Sequence, residues 1–350
     1  MMQSRKTIAI PPGATIREQL ENRGMSQKEF ALRMGISEKH ISHLINGKVE
    51  LTHDVALRLE SVLGVPARFW NNMEALYREQ LARVREELDF ENDESVAAKM
   101  PYSKCVSLGW IEKTNSLSEK VINLRKYFEV ANLGILENLQ LPGIAYRAKR
   151  KNISKDYALA MWAQKARIEA RAIQTSAINL ACLSDYLQRI RSLTTEEPSM
   201  FCRELGMLMP QCGIAIVFLP HIDGSFLHGA AFVDGNRIVL GLSVRGKYAD
   251  MFWFSLFHEL GHILLGHIMN PQEDEGFRES EADDFAQNAL IPKDKYDAFT
   301  KSQDFSVATI QHFSRTIGIA PSIVIGRLQR DNFVPYNRYN DMKVKYDINE

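Results

Sequence analysis

The chain has 350 residues, of which 45% are hydrophobic and 25% are charged, and its 43 basic and 43 acidic side chains give a formal net charge of zero. This composition is sufficient for two or three packed domains, and it excludes a disordered chain and a globally basic nucleic-acid-binding protein. The four cysteines show neither C-x-x-C spacing nor the density of a secreted disulfide scaffold, so we expect reduced thiols. Because we find no signal peptide and no bilayer-spanning run, we expect a cytoplasmic protein without membrane partners.

The first 80 residues predict short helices that end at glycines. One helix begins at Ser26, where Glu29 completes a predicted capping box, and it ends at Gly35. The next helix begins at Ser37 and ends at Gly47. Two short helices joined by a tight glycine turn form the helix-turn-helix unit, whose second helix enters the major groove of DNA.

Polar side chains on and beside this second helix are the predicted DNA contacts. Gln27 and Lys28, at the start of the preceding helix, are placed to hold phosphates. The groove-facing candidates point away from the apolar positions, and they are Ser37, Glu38, Lys39, His40, Ser42, His43 and, beyond the helix end, Lys48. Because such domains usually bind two half-sites, we expect a homodimer on double-stranded operator DNA.

The segment from Ser26 to Lys48 reads S-Q-K-E-F-A-L-R-M-G-I-S-E-K-H-I-S-H-L-I-N-G-K. It resembles the Cro/repressor type of helix-turn-helix, and specifically the HigA-like antitoxins. The resemblance implies binding to operator DNA, including the protein's own promoter, and a toxin-type protein partner. We expect the apolar residues between Val55 and Tyr77 to complete the bundle and to contribute to pairing of two copies.

An acidic segment from Arg83 to Glu94 follows, and we interpret it as a solvated linker or the frayed end of a helix. This places a domain boundary near residue 90 and a helical connecting region at 91–200, in which no catalytic constellation is found. A basic cluster after Pro142-Gly143 is interpreted as a solvated loop, with contact to DNA phosphates or an acidic partner as the alternative. The cluster consists of Arg147, Lys149, Arg150, Lys151 and Lys155.

After Pro210 the pattern changes to strands, which begin a domain that we place at 201–350. Three short apolar runs are separated by turns, and this predicts an antiparallel β-meander. We assign the strand from Arg237 to Leu242 as the sheet edge on which an extended peptide substrate pairs. His221 and His228 are interpreted as turn and core residues, with positioning of a substrate carbonyl as the alternative. The runs are Ile214 to Leu219, Leu227 to Val233 and Arg237 to Leu242, and the turns are Asp223-Gly224 and Asp234-Gly235-Asn236.

The sequence F-H-E-L-G-H, from Phe257 to His262, lies in a strongly apolar run. Because positions i and i+4 share one face of a helix, His258 and His262 can bind one metal ion, and Glu259 can reach a water on that ion. Zinc held by two histidines and a carboxylate activates water for attack on a peptide carbonyl, with the glutamate as base. The alternative is a buried helix that carries two histidines without function, so a third ligand is required.

The metzincin spacing does not supply this third ligand. It requires glycine at 265 and histidine at 268, where the chain has Leu265 and Ile268. On a continuing helix His267 would point well away from His258 and His262, so we interpret it as a helix C-terminal residue.

A second predicted helix, from Phe277 to Ala286, carries four carboxylates. Glu279 and Asp283 are i and i+4 and share a face. We assign Glu279 as the third zinc ligand and Asp283 as the hydrogen-bond partner of a ligand histidine, with Glu281 as the reserve candidate.

The two motifs H-E-L-G-H and E-S-E-A-D-D-F-A-Q-N-A-L-I-P resemble the ImmA/IrrE family of metallopeptidases. Asp283 stands where that family often has asparagine, and the segment from Gly318 to Gln329 is similar to the family's C-terminal helix. The resemblance implies a zincin-like α+β metallopeptidase domain. Together with a Cro-like domain, it implies a regulator in which zinc-dependent cleavage acts on a repressor or antitoxin.

The predicted fold is therefore mainly α with a small antiparallel sheet, organised as a helix-turn-helix bundle at 1–90, a helical connecting region at 91–200 and a metallopeptidase domain at 201–350. The predicted function is a DNA-binding regulator with a Zn²⁺-dependent endopeptidase domain that cleaves a repressor or antitoxin-type protein or itself. The alternative is a HigA-like antitoxin or repressor whose metal domain is a sensor or partner-binding module without significant proteolysis.

Overall fold

The computed structural model of the chain describes residues 2–3, 7–137, 153–222, 229–243, 247–269 and 275–346. These residues form two compact units, one of Met1–Val96 with Ala131–Gly134 and one of Ala97–Val130 with Ile135–Glu350. Helices predominate in both units, and a small sheet lies in the second, which confirms the predicted mainly α fold. Within the described ranges no helix combines the length and the apolar character that crossing a membrane requires.

The first unit is a helical bundle around a continuous apolar core. The largest side chains of this core, including Ile16, Phe30, Ile41 and Trp70, are fully buried. Its elements are β1 (Met2–Gln3) and β2 (Ile8–Ala9), which pair antiparallel, and α1 (Gly13–Asn22), α2 (Gln27–Met34), α3 (Glu38–Ile45), α4 (His53–Leu63) and α5 (Ala67–Ala97).

Serine caps begin both helices of the predicted helix-turn-helix. The Ser26 hydroxyl accepts a hydrogen bond from the Glu29 backbone N–H at 3.1 Å, and the Ser37 hydroxyl accepts one from the His40 N–H at 3.2 Å. These bonds satisfy backbone donors that have no partner within the helix. The Glu29 carboxylate instead pairs with Arg33 at 2.6 Å, so only the serine half of the predicted capping box is observed.

The acidic segment from Arg83 to Glu94 is helical. It lies inside α5, which continues to Ala97, so the linker interpretation is wrong for its secondary structure. Buried positions persist through the segment: Val84, Asp93 and Val96 are at most 1% exposed. The Asp93 carboxylate accepts hydrogen bonds from the backbone N–H groups of Leu133 and Gly134 at 2.8 and 3.2 Å. Asp93 is therefore buried and paired, whereas Glu86 and Asp89 are exposed, as we expected of a solvated segment.

The second unit contains the sheet, enclosed by helices. The helices before the sheet are α6 (Tyr102–Ser107), α7 (Leu117–Phe128), α8 (Ile153–Ala170), α9 (Leu180–Ser192) and α10 (Pro198–Gln211). The strands are β3 (Ile214–Leu219), β4 (Gly229–Asp234), β5 (Arg237–Ser243), β6 (Lys247–Tyr248) and β7 (Lys345–Tyr346). The later helices are α11 (Ala249–Leu264), α12 (Glu275–Leu290), α13 (Lys293–Lys301), α14 (Val307–Ile317) and α15 (Pro321–Arg330).

The three-stranded sheet is mixed, so the predicted antiparallel meander is wrong. β5 lies between the other two strands, parallel to β3, with Ile214 opposite Ile238, and antiparallel to β4, with Gly229 opposite Leu242. The strand from Arg237 is hydrogen-bonded on both sides and cannot be the edge that receives a peptide. Both β3 and β5 are nearly continuous apolar runs because both faces are covered, and such runs carry no alternation that reveals strand order.

Helix α11 packs against one face of this sheet. Leu240 and Leu242 of β5 share a core cluster with Phe252, Leu256 and Leu260 of α11. The same cluster includes residues of α12 and α15, so the helix that carries the histidine motif is held on several sides.

Some predictions fall where no structure is described. Arg147, Lys149, Arg150 and Lys151 lie outside the described residues, as do Asp223, Gly224 and His228, and only the backbone of Lys155, in α8, is described.

Candidate metal centre and nucleic-acid interface

Helix α11 places the two motif histidines on one buried face. His258 is 8% exposed and Glu259 is 4% exposed, although they stand in the most apolar helix of the second unit. The Nε2 atoms of His258 and His262 are 3.0 Å apart. Two imidazole nitrogens therefore face a common point, as the four-residue spacing on a helix requires.

Helix α12 brings a carboxylate to the same point. Glu279 Oε2 lies 3.4 Å from His258 Nε2, and Glu279 Oε1 lies 3.3 Å from His262 Nε2. The two helices can approach closely because Gly261 faces α12, where a Cβ atom would lie only 3.2 Å from the Ala282 Cα. Glycine at 261 thus allows the third ligand to reach the histidines.

The three side chains fit a zinc ion by geometry and by chemistry. Their ligand atoms all lie within 4.8 Å of one another. Ligands about 2.0–2.1 Å from a tetrahedral zinc are about 3.3 Å apart, close to the separations found here. Two imidazoles and one carboxylate also match the His₂Glu set of catalytic zinc sites, which leave a fourth position for water.

Asp283 orients the first histidine. Its Oδ1 lies 2.8 Å from His258 Nδ1, while its Oδ2 accepts a hydrogen bond from Arg330 at 2.7 Å. The Arg330 guanidinium also lies over the Phe254 ring, 4.6 Å from its centroid. With Nδ1 bonded to Asp283, the His258 ring directs Nε2 toward Glu279 and His262.

His267 orients the second histidine, which corrects our interpretation that it points away. Its Nδ1 lies 3.0 Å from His262 Nδ1, and its Nε2 lies 3.2 Å from Glu281 Oε2. The prediction assumed a continuing helix, but α11 ends at Leu264, and Gly266, with φ of 78°, turns the chain back. Glu281 therefore contacts His267, while Glu279 faces the histidine nitrogens.

Glu259 lies beside the start of strand β4. A Cβ atom built on Gly229 would lie 2.9 Å from Glu259 Cγ, so the two residues are in close contact. Among the described strands, β4 pairs on one side only, with β5. The Glu259 side chain, next in sequence to His258, therefore packs against the start of a strand that pairs on only one side among the described strands.

Hydrogen bonds at the site shift the pKa values of His258 and Asp283 in opposite directions, and both shifts favour the charged forms. Burial lowers the pKa of His258, but hydrogen bonds to Asp283 and Glu279 outweigh burial and raise it to about 9. Burial raises the pKa of Asp283, but hydrogen bonds from His258 and Arg330 more than compensate and lower it. Asp283 therefore remains an anion that holds the His258 ring.

The predicted DNA contacts lie on the surface of the first unit. Gln27, Lys28, Ser37, Glu38, Lys39 and Lys48 are exposed, and His40, Ser42 and His43 are partly buried. The opposite face of α3 is buried through Ile41, Leu44 and Ile45. The helix therefore presents a polar face while its apolar face holds it to the bundle.

Two contacts of the candidate metal centre were not predicted from the sequence. Arg330 follows Asp283 by 47 residues, and nothing in its local pattern signals the contact. His267 carried a signal in Gly266, a helix-terminating residue directly before it.

Comparisons with known proteins match the two units separately. A helix-turn-helix family model matches residues 16–70, and an IrrE N-terminal-like domain model matches residues 213–315. The HTH-type transcriptional regulator YddM of Escherichia coli is 36% identical over 63 residues, which are 18% of this chain and 67% of that protein. Antitoxin HigA-1 of Vibrio cholerae is 36% identical over 74 residues, which are 21% of this chain and 70% of that protein.

Solved structures are also similar to the N-terminal part. An addiction module antidote protein of a HigA family from Coxiella burnetii is 28% identical, with a TM-score of 0.22, covering 24% of this chain and 94% of that one. A putative antidote protein of a plasmid maintenance system from Nostoc punctiforme is 30% identical, with a TM-score of 0.23, covering 24% of this chain and 91% of that one.

The two regulators are each 36% identical to this chain and are matched over 67% and 70% of their own length, which is sufficient to assign a family to the chain. The C-terminal match covers the sheet, the histidine helix and the helix with Glu279. The chain therefore belongs to the helix-turn-helix family of regulators and HigA-type antitoxins, and it joins that DNA-binding domain to a metallopeptidase-family IrrE N-terminal-like domain.

Proposed function

We propose that this protein is a transcriptional regulator that carries a zinc-dependent endopeptidase, which cleaves a repressor or antitoxin-type protein or the regulator itself. The observation that carries the proposal is the convergence of His258, His262 and Glu279 beside the buried carboxylate of Glu259. A structural role alone does not require three potential ligands, of which the two histidines are also held by Asp283 and His267.

The chemistry supplied by bound zinc is the deprotonation of water near neutral pH and the polarisation of the scissile carbonyl. The chain's own residues align the substrate and transfer the protons. The side of β4 on which no described strand pairs aligns an extended peptide by backbone hydrogen bonds, in place of the β5 edge that we first assigned. Glu259 takes a proton from the attacking water, and a proton passes to the leaving amine as the C–N bond breaks and the new C–O bond forms.

The role of Glu259 is tested by Glu259→Gln, which keeps the side chain's size. Loss of a general base reduces cleavage by about 10²–10⁴-fold, whereas His258, His262 and Glu279 still bind zinc. Protein N-termini in cells that express wild type or variant are compared by mass spectrometry, and zinc content is measured on the purified proteins. Glu169→Gln, a matched change in an ion pair on α8, serves as control.

If Glu259→Gln leaves both the N-termini and the derepression of target genes as in wild type, the endopeptidase proposal is rejected. The similarity of the N-terminal domain to Antitoxin HigA-1 then favours the second candidate, a repressor or antitoxin whose metal domain binds a protein partner.

For the N-terminal unit we propose binding to double-stranded operator DNA as a homodimer, with α3 in the major groove. The support is the polar exposed face of α3, its serine cap and the helix-turn-helix match over residues 16–70. We propose that Lys39, His40 and His43 contact base edges or phosphates, that Gln27, Lys28, Ser37, Ser42 and Lys48 line the same interface, and that the partner bound through this domain is a toxin-type or repressor protein.

A further inference from the structure

A cavity of about 530 Å³ lies in the second unit, between the N-terminal half of α11 and helices α12 and α15. The residues that matter for its chemistry are Asp250, Phe254, Ile323, Arg330, Tyr336 and Lys343. None of His258, Glu259, His262 and Glu279 lines it. Asp250 precedes His258 by eight residues, or about 12 Å along the helix, whereas the Phe254 ring, which lines the other end of the cavity, has its centroid 6.3 Å from that of His258.

A buried ion pair supplies the polar anchor of the cavity. Lys343 Nζ lies 2.6 Å from Asp250 Oδ2, and the two side chains are only 8% and 11% exposed. Lys343 also donates a hydrogen bond to Gln329 Oε1 at 3.0 Å. The second carboxylate oxygen, Asp250 Oδ1, is buried and accepts no hydrogen bond from the part of the chain that the structure describes. Because a buried acceptor without a donor costs about 1–3 kcal/mol, a ligand that donates to it gains affinity.

The charges around the cavity disfavour ionic ligands, because the three basic side chains that line it are each paired with a carboxylate. A cation would be repelled by Arg327, Arg330 and Lys343, all of which line the space. An anion would face the Asp250 carboxylate and would compete with carboxylates that already hold these cations. Arg327 pairs with Asp331 at 2.6 Å and Arg330 with Asp283 at 2.7 Å. A neutral hydrogen-bond donor satisfies Asp250 without either penalty.

The apolar residues that line the cavity indicate the chemical character of the ligand. Phe254, Ile323 and Tyr336 contribute aromatic and aliphatic surface, and the volume lies within the range of small-molecule sites, about 300–1,000 Å³. We propose that this cavity binds a small neutral molecule with an apolar, ring-containing body and a hydroxyl group that donates to Asp250. The proposal does not depend on DNA binding or hydrolysis.

The cavity is connected to the metal centre through one side chain. Arg330 lines the cavity and donates to Asp283, which holds His258. A ligand that displaces Arg330 would weaken the hold of Asp283 on His258, so the proposal includes an effector role for the cavity, in which ligand and zinc change each other's affinity by the same factor.

The experiment uses the full chain and three naphthalene probes titrated by calorimetry. 2-Naphthol carries a neutral donor, 2-methoxynaphthalene has no donor, and 2-naphthoate is an anion. We expect saturable one-to-one binding of 2-naphthol, with about fivefold or greater preference over the other two probes. We also expect its affinity to differ between zinc-loaded and chelated protein.

Substitutions at lining residues test whether the probes bind in this cavity. Met251→Trp, at an exposed lining residue, places a bulkier side chain at the cavity and is expected to weaken binding of 2-naphthol. Asp250→Asn removes the preference for the hydroxyl, while Asp297→Asn, in an exposed pair with Lys293, leaves it unchanged. If Asp250→Asn fails to fold, the comparison of the three probes on wild type and the binding by Met251→Trp still test the proposed site. Absence of saturable binding, equal binding of the methoxy probe, or full binding by Met251→Trp overturns the site, and equal affinity with and without zinc overturns the effector role.

Discussion

Asp283 contacts two positively polarised groups at once, His258 Nδ1 and the Arg330 guanidinium. Removing its charge leaves all three proposed zinc ligands in place but weakens the hold on the His258 ring. Loss of such a partner typically lowers metal affinity by about 10–100-fold. We therefore expect Asp283→Asn to bind zinc about 10–100-fold more weakly, as measured by competition with a chelating dye.

The neighbouring residue offers the control for this experiment. Asp284 is exposed on the same helix, so Asp284→Asn makes the same chemical change without a contact to His258. Equal zinc affinity of the two variants would contradict the positioning role of Asp283.

The thiols give a prediction of pH dependence at the residue scale. The four cysteines form no disulfide. Burial raises the pKa of Cys105 to about 12 and of Cys202 to about 11, so both are protonated at neutral pH. Because only the thiolate is nucleophilic, reaction with a disulfide reagent is slow at pH 8 and accelerates as pH rises toward these values. Fast labelling of Cys105 in folded protein at pH 8, followed by peptide mapping, would contradict this prediction.

At the scale of elements, the tight turn between α2 and α3 exposes one face of α3 while Ile41 and Leu44 hold the other. Substituting Lys39, His40 and His43 together by alanine removes polar groups from the exposed face without touching the core. Since a good base contact contributes about 1–3 kcal/mol, we expect operator affinity to fall by at least about tenfold. The measurement is an electrophoretic mobility shift on a duplex selected by wild type from a random pool.

Zinc content and helical circular dichroism of this triple variant should match wild type. Lys295→Ala with His312→Ala, two exposed changes in the second unit, controls for loss of surface charge. Unchanged operator binding by the triple variant would show that α3 is not the recognition helix.

At the same scale, the packing of α11 against α12 brings the two histidines and Glu279 of the candidate metal centre together. A single glycine, Gly261, allows the contact, and the turn at Gly266 returns His267 to the histidine it orients. The two helices are separated along the chain, so their side chains meet only in the folded state. The candidate site therefore depends on folding of the second unit, and a metal ion bound there would stabilise that folded state.

At the scale of the whole molecule, we expect the two units to differ in how their hydrogen exchange responds to removal of the metal. Zinc bound at 100 times its dissociation constant stabilises the folded state by about 2.7 kcal/mol. We expect chelation to increase hydrogen exchange in α11 and α12 and to leave α1 to α4 unchanged, as measured by mass spectrometry on the full chain. Increased exchange across both units would show that the metal centre also governs the stability of the DNA-binding unit.

Local patterns were sufficient for much of this protein. Helix caps, glycine stops and the four-residue histidine spacing are short-range features, so Ser26, Ser37 and the F-H-E-L-G-H helix were recognisable without coordinates. The mainly α fold and the two family resemblances followed from the same features. Their physical basis is that caps and helical periodicity act within a few residues.

The tertiary structure decided what depends on distant segments. It showed that β5 is the central strand, because a sheet covered on both faces leaves no alternation in its sequence. It placed Arg330 on Asp283 across 47 residues and turned His267 back onto His262. The sequence by itself thus identified the candidate metal ligands and candidate DNA contacts, whereas packing decided which groups lie against them, because such contacts are set by burial and helix crossing rather than by spacing along the chain.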